Sequence, residues 1–121
     1  MISTRLHAFS DYVIPATIAL LGQTPGRGPG TRRIMEIGPP WHLAYTLVTR
    51  HEGGLVPHLS MRTHLALDAL SALTFVGAGI LMRREPARDR ALLVGLGLAE
   101  LAWIALSDDK SDSQGPITPN G

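Results

Sequence analysis

The chain contains no cysteine, which excludes a disulfide framework, thiolate metal sites and a cysteine nucleophile while leaving the redox compartment open. Aromatic residues make up only 5% of it and net charge is +1 over 121 residues. With no basic stripe interleaved with aromatic side chains, nothing in it points to nucleic-acid binding. The glycines at Gly26, Gly28 and Gly30 follow no strand and lead into no Gly-Lys-Ser/Thr, so they form no phosphate-binding loop. Serine and threonine are scattered without an arranged base, and no hydrolase is assembled. Charge is nearly missing from two long runs, Leu65 to Met82 and Ala91 to Ser107.

Those runs are the most informative feature present. A hydrophobic content of 45% is ordinary for a soluble protein, so composition alone decides nothing and distribution carries the reading. At about 1.5 Å of rise per residue each run covers roughly 25 Å, close to the hydrocarbon thickness of a bilayer once flanking residues are added. Neither run has the charged side that a surface helix shows opposite its apolar stripe. A third apolar run, Tyr12 to Leu21 behind Arg5, has the outline of a secretory signal. Asp11 and Pro15 interrupt it, no small-x-small cleavage site follows Gly22, and a related segment recurs in mid-chain. It reads as a retained helix.

That recurrence is an internal repeat. Arg5-Leu-His7-Ala-Phe-Ser-Asp11 is matched by Arg62-Thr-His64-Leu-Ala-Leu-Asp68, an Arg-x-His-x-x-x-Asp pattern at identical spacing. More loosely, Leu43-Ala44-Tyr45-Thr46-Leu47-Val48-Thr49 is matched by Leu101-Ala102-Trp103-Ile104-Ala105-Leu106-Ser107. The expected fold is all-α: four transmembrane helices arranged as two parallel helical-hairpin repeats in one domain over residues 1–107. Repeat one covers 3–56 and repeat two covers 60–107, with a polar disordered tail over 108–121. The helices are expected at Leu6 to Gly22, Ile34 to Thr49, Arg62 to Met82 and Ala91 to Ser107, the second kinked or starting late at Gly38-Pro39-Pro40. Gln23 to Arg33 is expected as a flexible loop. Ala91, Gly95 and Ala99 recur at four-residue spacing and suggest a close helix contact.

Units of two spans enter the membrane in the same sense, so the repeats are related by an axis along its normal. Arg27, Arg32, Arg33, Arg83, Arg84, Arg88 and Arg90 fall in the first and third loops, against Arg5, Arg50, Arg62 and Lys110 on the other side. By the positive-inside rule both termini are expected outside the cytoplasm.

The segments Ser3-Thr-Arg-Leu-His7 through Asp11-Tyr12, Tyr45-Thr-Leu-Val-Thr49 followed by Glu52-Gly53-Gly54-Leu55-Val56, and Met61-Arg-x-His64-Leu-x-Leu-Asp68 together resemble the SPW-repeat family of small bacterial membrane proteins. The resemblance extends to Ser107. It implies two hairpins, four spans and a multi-pass place in the bacterial inner membrane, and brings with it no established activity. The sequence departs from the family pattern in lacking the Ser-Pro-Trp tripeptides, and Arg50 and His51 stand where an acidic residue followed by tyrosine is expected.

His7 with Asp11 and His64 with Asp68 are each four apart, so each pair shares a helix face. In parallel repeats the pairs lie at similar depth, and facing inward they form a ligand set suited to zinc, iron or manganese. The plainer reading is hydrogen bonding that fastens the bundle, with Arg5 and Arg62 anchoring the helices at the headgroups. Glu100, the most deeply placed carboxyl group, and His42, its approximate counterpart in the first repeat, join the same intramembrane polar set, either as interhelical hydrogen-bonding groups or in a relay or ligand role. Trp41 and Trp103, with Tyr45, suit interfacial anchoring or core packing better than cofactor stacking.

Three functions follow. The first is a non-enzymatic accessory subunit of a membrane complex, or a homo-oligomer, whose partners are the lipid bilayer and other membrane subunits or itself. The second is a membrane protein binding a transition metal or haem, with His7 and His64, or His42, as axial ligands in the haem case. The third is a transporter of protons or small solutes.

Overall fold

Four helices carry the described residues, 1–107, of the computed structural model: α1 Thr4–Gly22, α2 Pro29–Leu47, α3 Met61–Leu81 and α4 Ala87–Leu106. Apart from isolated bridges joining Ile2 to Ser107 and Thr49 to Leu59, no strand pairing occurs among them. The fold is all-α. The tail expected over residues 108–121 lies outside the described residues.

α1 and α3 begin alike. Ser3 and Ser60 hold extended backbone at the N-caps, and their hydroxyls accept from Leu6 N–H and Thr63 N–H, each at 3.1 Å, which satisfies an amide that the helix itself leaves without a partner. α2 starts at Pro29 where Ile34 was expected, so the glycine-rich connection is shorter than the sequence suggests. Proline in the first turn sacrifices no helical hydrogen bond, and its fixed φ suits a helix start. Pro39 and Pro40 remain inside α2. α4 likewise begins early, at Ala87 behind an extended Pro86.

α1 packs along α2 and α3 along α4, the two hairpins meeting chiefly through α2 and α3. In the second hairpin the approach is close because of Gly79 and Gly97. A methyl group on Gly97 would stand 2.6 Å from the Ala72 carbonyl, and one on Gly79 2.7 Å from the Arg90 carbonyl. The Ala91, Gly95, Ala99 series does not make this contact: nothing lies within 4 Å of a methyl placed on Gly95. The seam runs instead through Leu93 and Gly97, both buried.

At the end of the bundle carrying the α1–α2 and α3–α4 loops, the hairpins are clasped together. Arg27 Nη1 pairs with Asp89 Oδ1 at 2.8 Å, Gly28 N–H donates to Asp89 Oδ2 at 2.7 Å, and the Thr31 amide and hydroxyl both donate to Glu85 Oε1, at 2.5 and 2.8 Å. The Gly28 amide above all, with Arg27 assisting against the opposing effect of burial, holds the Asp89 carboxyl below its ordinary range.

Several ionisable side chains are buried while several large apolar ones are exposed. The fully apolar core is small, Met35, Phe75 and Leu93 with Ile18, Leu21 and Leu96 against them. His7, Asp11, His64, Asp68 and Asp89 are wholly or almost wholly buried, whereas Phe9, Leu20, Leu70, Leu73, Ile80, Leu81 and Leu98 are exposed. By length and hydropathy α3 is the one described helix able to cross a membrane, where four were expected. The others carry polar groups inside their bounds: Arg5 and Asp11 in α1, Arg32, Arg33 and Glu36 in α2, and Arg88, Asp89 and Arg90 in the first turn of α4.

Candidate metal centre

At the opposite end of the bundle the two Arg-x-His-x-x-x-Asp segments meet. His7, Asp11, His64 and Asp68 each bring one ligand-capable atom to a place where all four lie within 4.8 Å of one another. The pairs do not close on themselves; they cross. His7 Nε2 is 2.9 Å from Asp68 Oδ2 and 3.4 Å from its own neighbour Asp11 Oδ1, and His64 Nε2 is 3.0 Å from Asp11 Oδ2 and 3.4 Å from Asp68 Oδ2. The imidazole rings stand edge to face with centroids 5.4 Å apart.

The other nitrogen of each ring is committed. His7 Nδ1 lies 2.7 Å from Ser107 Oγ and His64 Nδ1 2.8 Å from Thr49 Oγ1. Both hydroxyls sit just past a helix C-terminus. There the amides of Thr49 and Ser107 bond to Thr46 O and Ile104 O, three residues back. The carbonyls of Tyr45 and Trp103, four residues back, are served instead by the hydroxyls, at 2.6 and 2.7 Å. A hydroxyl has one proton to give. Having given it to a carbonyl, each oxygen accepts from the imidazole, so Nδ1 carries the hydrogen and Nε2 is left to face the carboxylates. His64 Nε2, despite its 3.0 Å approach to Asp11, lies off the line of a hydrogen bond and is a buried polar atom without one.

An outer ring of donors fixes the carboxylates. Tyr45 Oη donates to Asp68 Oδ1 at 2.5 Å. Gly53 N–H donates to His51 Nδ1 at 3.2 Å, which places the His51 proton on Nε2, and Nε2 then donates to Asp11 Oδ2 at 3.1 Å. His42 Nε2 is 3.0 Å from Asp11 Oδ1 and 3.4 Å from Asp68 Oδ1, its ring stacked on Tyr45 with centroids 5.1 Å apart. Such partners orient ligands and fix their tautomers in metal sites.

All six members of the polar set expected from sequence thus occupy one end of the bundle interior, with His7, Asp11, His64 and Asp68 at its centre, His42 beside them and Glu100 at its margin within 4.8 Å of His42 and Asp68. The expected interfacial residues divide. Arg5 and Arg62 are exposed. Trp41 is half-exposed, its indole N–H on Ser71 Oγ at 3.1 Å, whereas Trp103 turns inward to Ser10 Oγ at 3.0 Å. Sequence reasoning passed over His51, Thr49 and Ser107. The hydroxyls were detectable, since both end the loosely repeated Leu43 to Thr49 and Leu101 to Ser107 segments. His51 had no signal beyond its departure from the family pattern. Comparison of the chain with protein-family models, curated proteins and solved structures finds no match.

Proposed function

We propose that the chain is a small integral membrane protein, built of two like hairpins, that holds one divalent transition-metal ion at His7, Asp11, His64 and Asp68. The observation that carries the metal is the convergence of two buried imidazole nitrogens and two buried carboxylate oxygens within 4.8 Å of one another. With Nδ1–H given to Ser107 and Thr49, two buried imidazoles direct Nε2 at two buried carboxylates. A lone pair facing a carboxylate is repulsive, so each Nε2 either carries a proton, as the His7–Asp68 hydrogen bond at 2.9 Å allows, or shares a cation with the carboxylates. Either two protons or one dication neutralises the two carboxylates. With Asp11 Oδ2 and Asp68 Oδ2 as the ligand oxygens, three ligand-to-ligand separations, 2.9, 3.0 and 3.4 Å, lie near the edge of about 3.3 Å that bonds of about 2.0–2.1 Å give a tetrahedral zinc site. Two imidazole nitrogens with two carboxylate oxygens suit zinc, iron or manganese. Haem fits less well, because the carboxylates fill the space between the two rings that a porphyrin would need.

The membrane part of the reading rests on the buried ionisable cluster and the exposed large apolar side chains. Ionisable side chains inside a bilayer face the bundle interior and pair with one another, and the exposed leucines, isoleucine and phenylalanine then face lipid. The loop arginines put the clasped end in the cytoplasm and the metal centre near the opposite surface. Kinship with the SPW-repeat membrane proteins belongs to the same proposal and rests on the quoted segments. Every ligand comes from one chain, so the centre requires no partner subunit.

The test is metal analysis of protein purified in mild detergent, stripped with a chelator and reloaded with zinc or cobalt(II). Tight retention of at least one equivalent, abolished by His64→Gln, is expected. Sub-stoichiometric metal in the reloaded wild type contradicts the metal centre, and recovery of the protein in the soluble fraction without detergent contradicts the membrane reading.

A further inference from the structure

Outside the four-ligand centre stand Glu100 and His42, whose Nε2 lies 3.0 Å from Asp11 Oδ1 and would give up that hydrogen bond to bind a metal. Glu100 stands in α4 where His42 stands in α2, and together with Asp68 they bring ligand-capable atoms within 4.8 Å of one another. The Glu100 carboxyl makes no hydrogen bond among the described residues. It borders a cavity of about 220 Å³ whose other walls are largely apolar, Ile14, Pro15, Ile18, Phe75 and Leu96 among them. His42 lies on the same wall and is buried. Asp68 joins the two groups. Its Oδ2 faces His7 and His64, while its Oδ1 faces His42 and accepts from Tyr45. A carboxylate with its oxygens turned to two different ligand sets is the bridging element of two-metal centres.

We infer that His42, Asp68 and Glu100 form a second divalent-cation site, bridged to the first by Asp68 and open to the cavity. This rests on the metal reading above and extends it. The two sites differ in kind. The first has four protein ligands and is closed. The second has three, and its remaining coordination positions face the cavity, the arrangement that separates reactive metal sites from structural ones. A small exogenous ligand reaching the cavity then meets a metal ion with room to bind it.

Manganese(II) titration of the full chain in detergent, followed by electron paramagnetic resonance, tests this. The wild type is expected to take two equivalents, the second more weakly, and its six-line signal to broaden and weaken as the second ion couples to the first. Glu100→Gln preserves shape and breaks no hydrogen bond; it is expected to take one equivalent and keep the sharp signal of an isolated ion. One uncoupled equivalent in the wild type overturns the second site alone. Two equivalents in both proteins overturn its assignment to Glu100. No binding by either removes the four-ligand centre as well, which distinguishes failure of that reading from failure of this one.

Discussion

His64 Nδ1 meets Thr49 Oγ1 at 2.8 Å, and that hydroxyl has already given its proton to the Tyr45 carbonyl. A helix C-terminus thereby sets the tautomer of a histidine on the neighbouring helix. Thr49→Val keeps the shape and removes the acceptor, and we expect it to weaken metal binding by about 10- to 100-fold, the usual effect of losing such a partner. Thr49→Ser should restore affinity. Competition with a chelator of known affinity measures both, and a valine variant binding as tightly as wild type would show that the hydroxyl does not orient the ring.

Glycine spacing gives a second contrast. Gly97→Ala drives a methyl against the Ala72 carbonyl, whereas Gly95→Ala meets open space. The first should lower stability by about 1–3 kcal/mol through overpacking. The second should be neutral or stabilising by up to about 1 kcal/mol, because alanine is the better helix former. Thermal unfolding in detergent compares them, and equal effects would contradict the α3–α4 seam.

The clasp makes the protein sensitive to acid. Asp89 has a folded-state pKa depressed below its ordinary 3.8, first by the Gly28 amide and then by Arg27. A depressed carboxyl adds stability that is fully present above the unfolded pKa and is lost as pH falls through the folded value. Asp89→Asn should therefore cost about 2 kcal/mol at neutral pH, the scale of a hydrogen bond to a charged group. The gap to wild type should narrow below about pH 4. A gap independent of pH would mean that the Asp89 charge contributes nothing.

The two carboxylates at the centre should act as one unit. Asp11 is approached by His7, His42, His51 and His64, and Asp68 by His7, His42, His64 and the Tyr45 hydroxyl. Sequence alone suggests the larger loss at Asp68, which lies in the cleaner run, but His51 on Asp11 is matched by Tyr45 on Asp68, so Asp11→Leu and Asp68→Leu should be about equally damaging. Because the histidines are shared, the double variant should cost less than the sum of the singles. Strict additivity in thermal unfolding would argue for two separate fasteners.

Much of this was legible in the chain because it depends on spacing. Two His-x-x-x-Asp segments on two helix starts bring like residues to like depth, and the structure adds that they cross, His7 toward Asp68 and His64 toward Asp11. The crossing has no local signature, since it depends on how the hairpins dock. The early start of α2 was hidden by glycine and proline, which mark loops in general but suit a helix cap and first turn when they stand as Gly28-Pro29. His51 was missed because it lies in the connection after α2 and enters the centre through its loop, with no helical period to reveal it.

X-ray absorption at the zinc edge of protein loaded with one equivalent tests the central claim most directly, because it sees the ligands themselves. The account predicts a shell of nitrogen and oxygen neighbours at about 2.0–2.1 Å, with the outer scattering of two imidazoles in wild type and of one in His7→Gln. A shell without imidazole scattering, or one unchanged by His7→Gln, would place the metal elsewhere and contradict the centre proposed at His7, Asp11, His64 and Asp68.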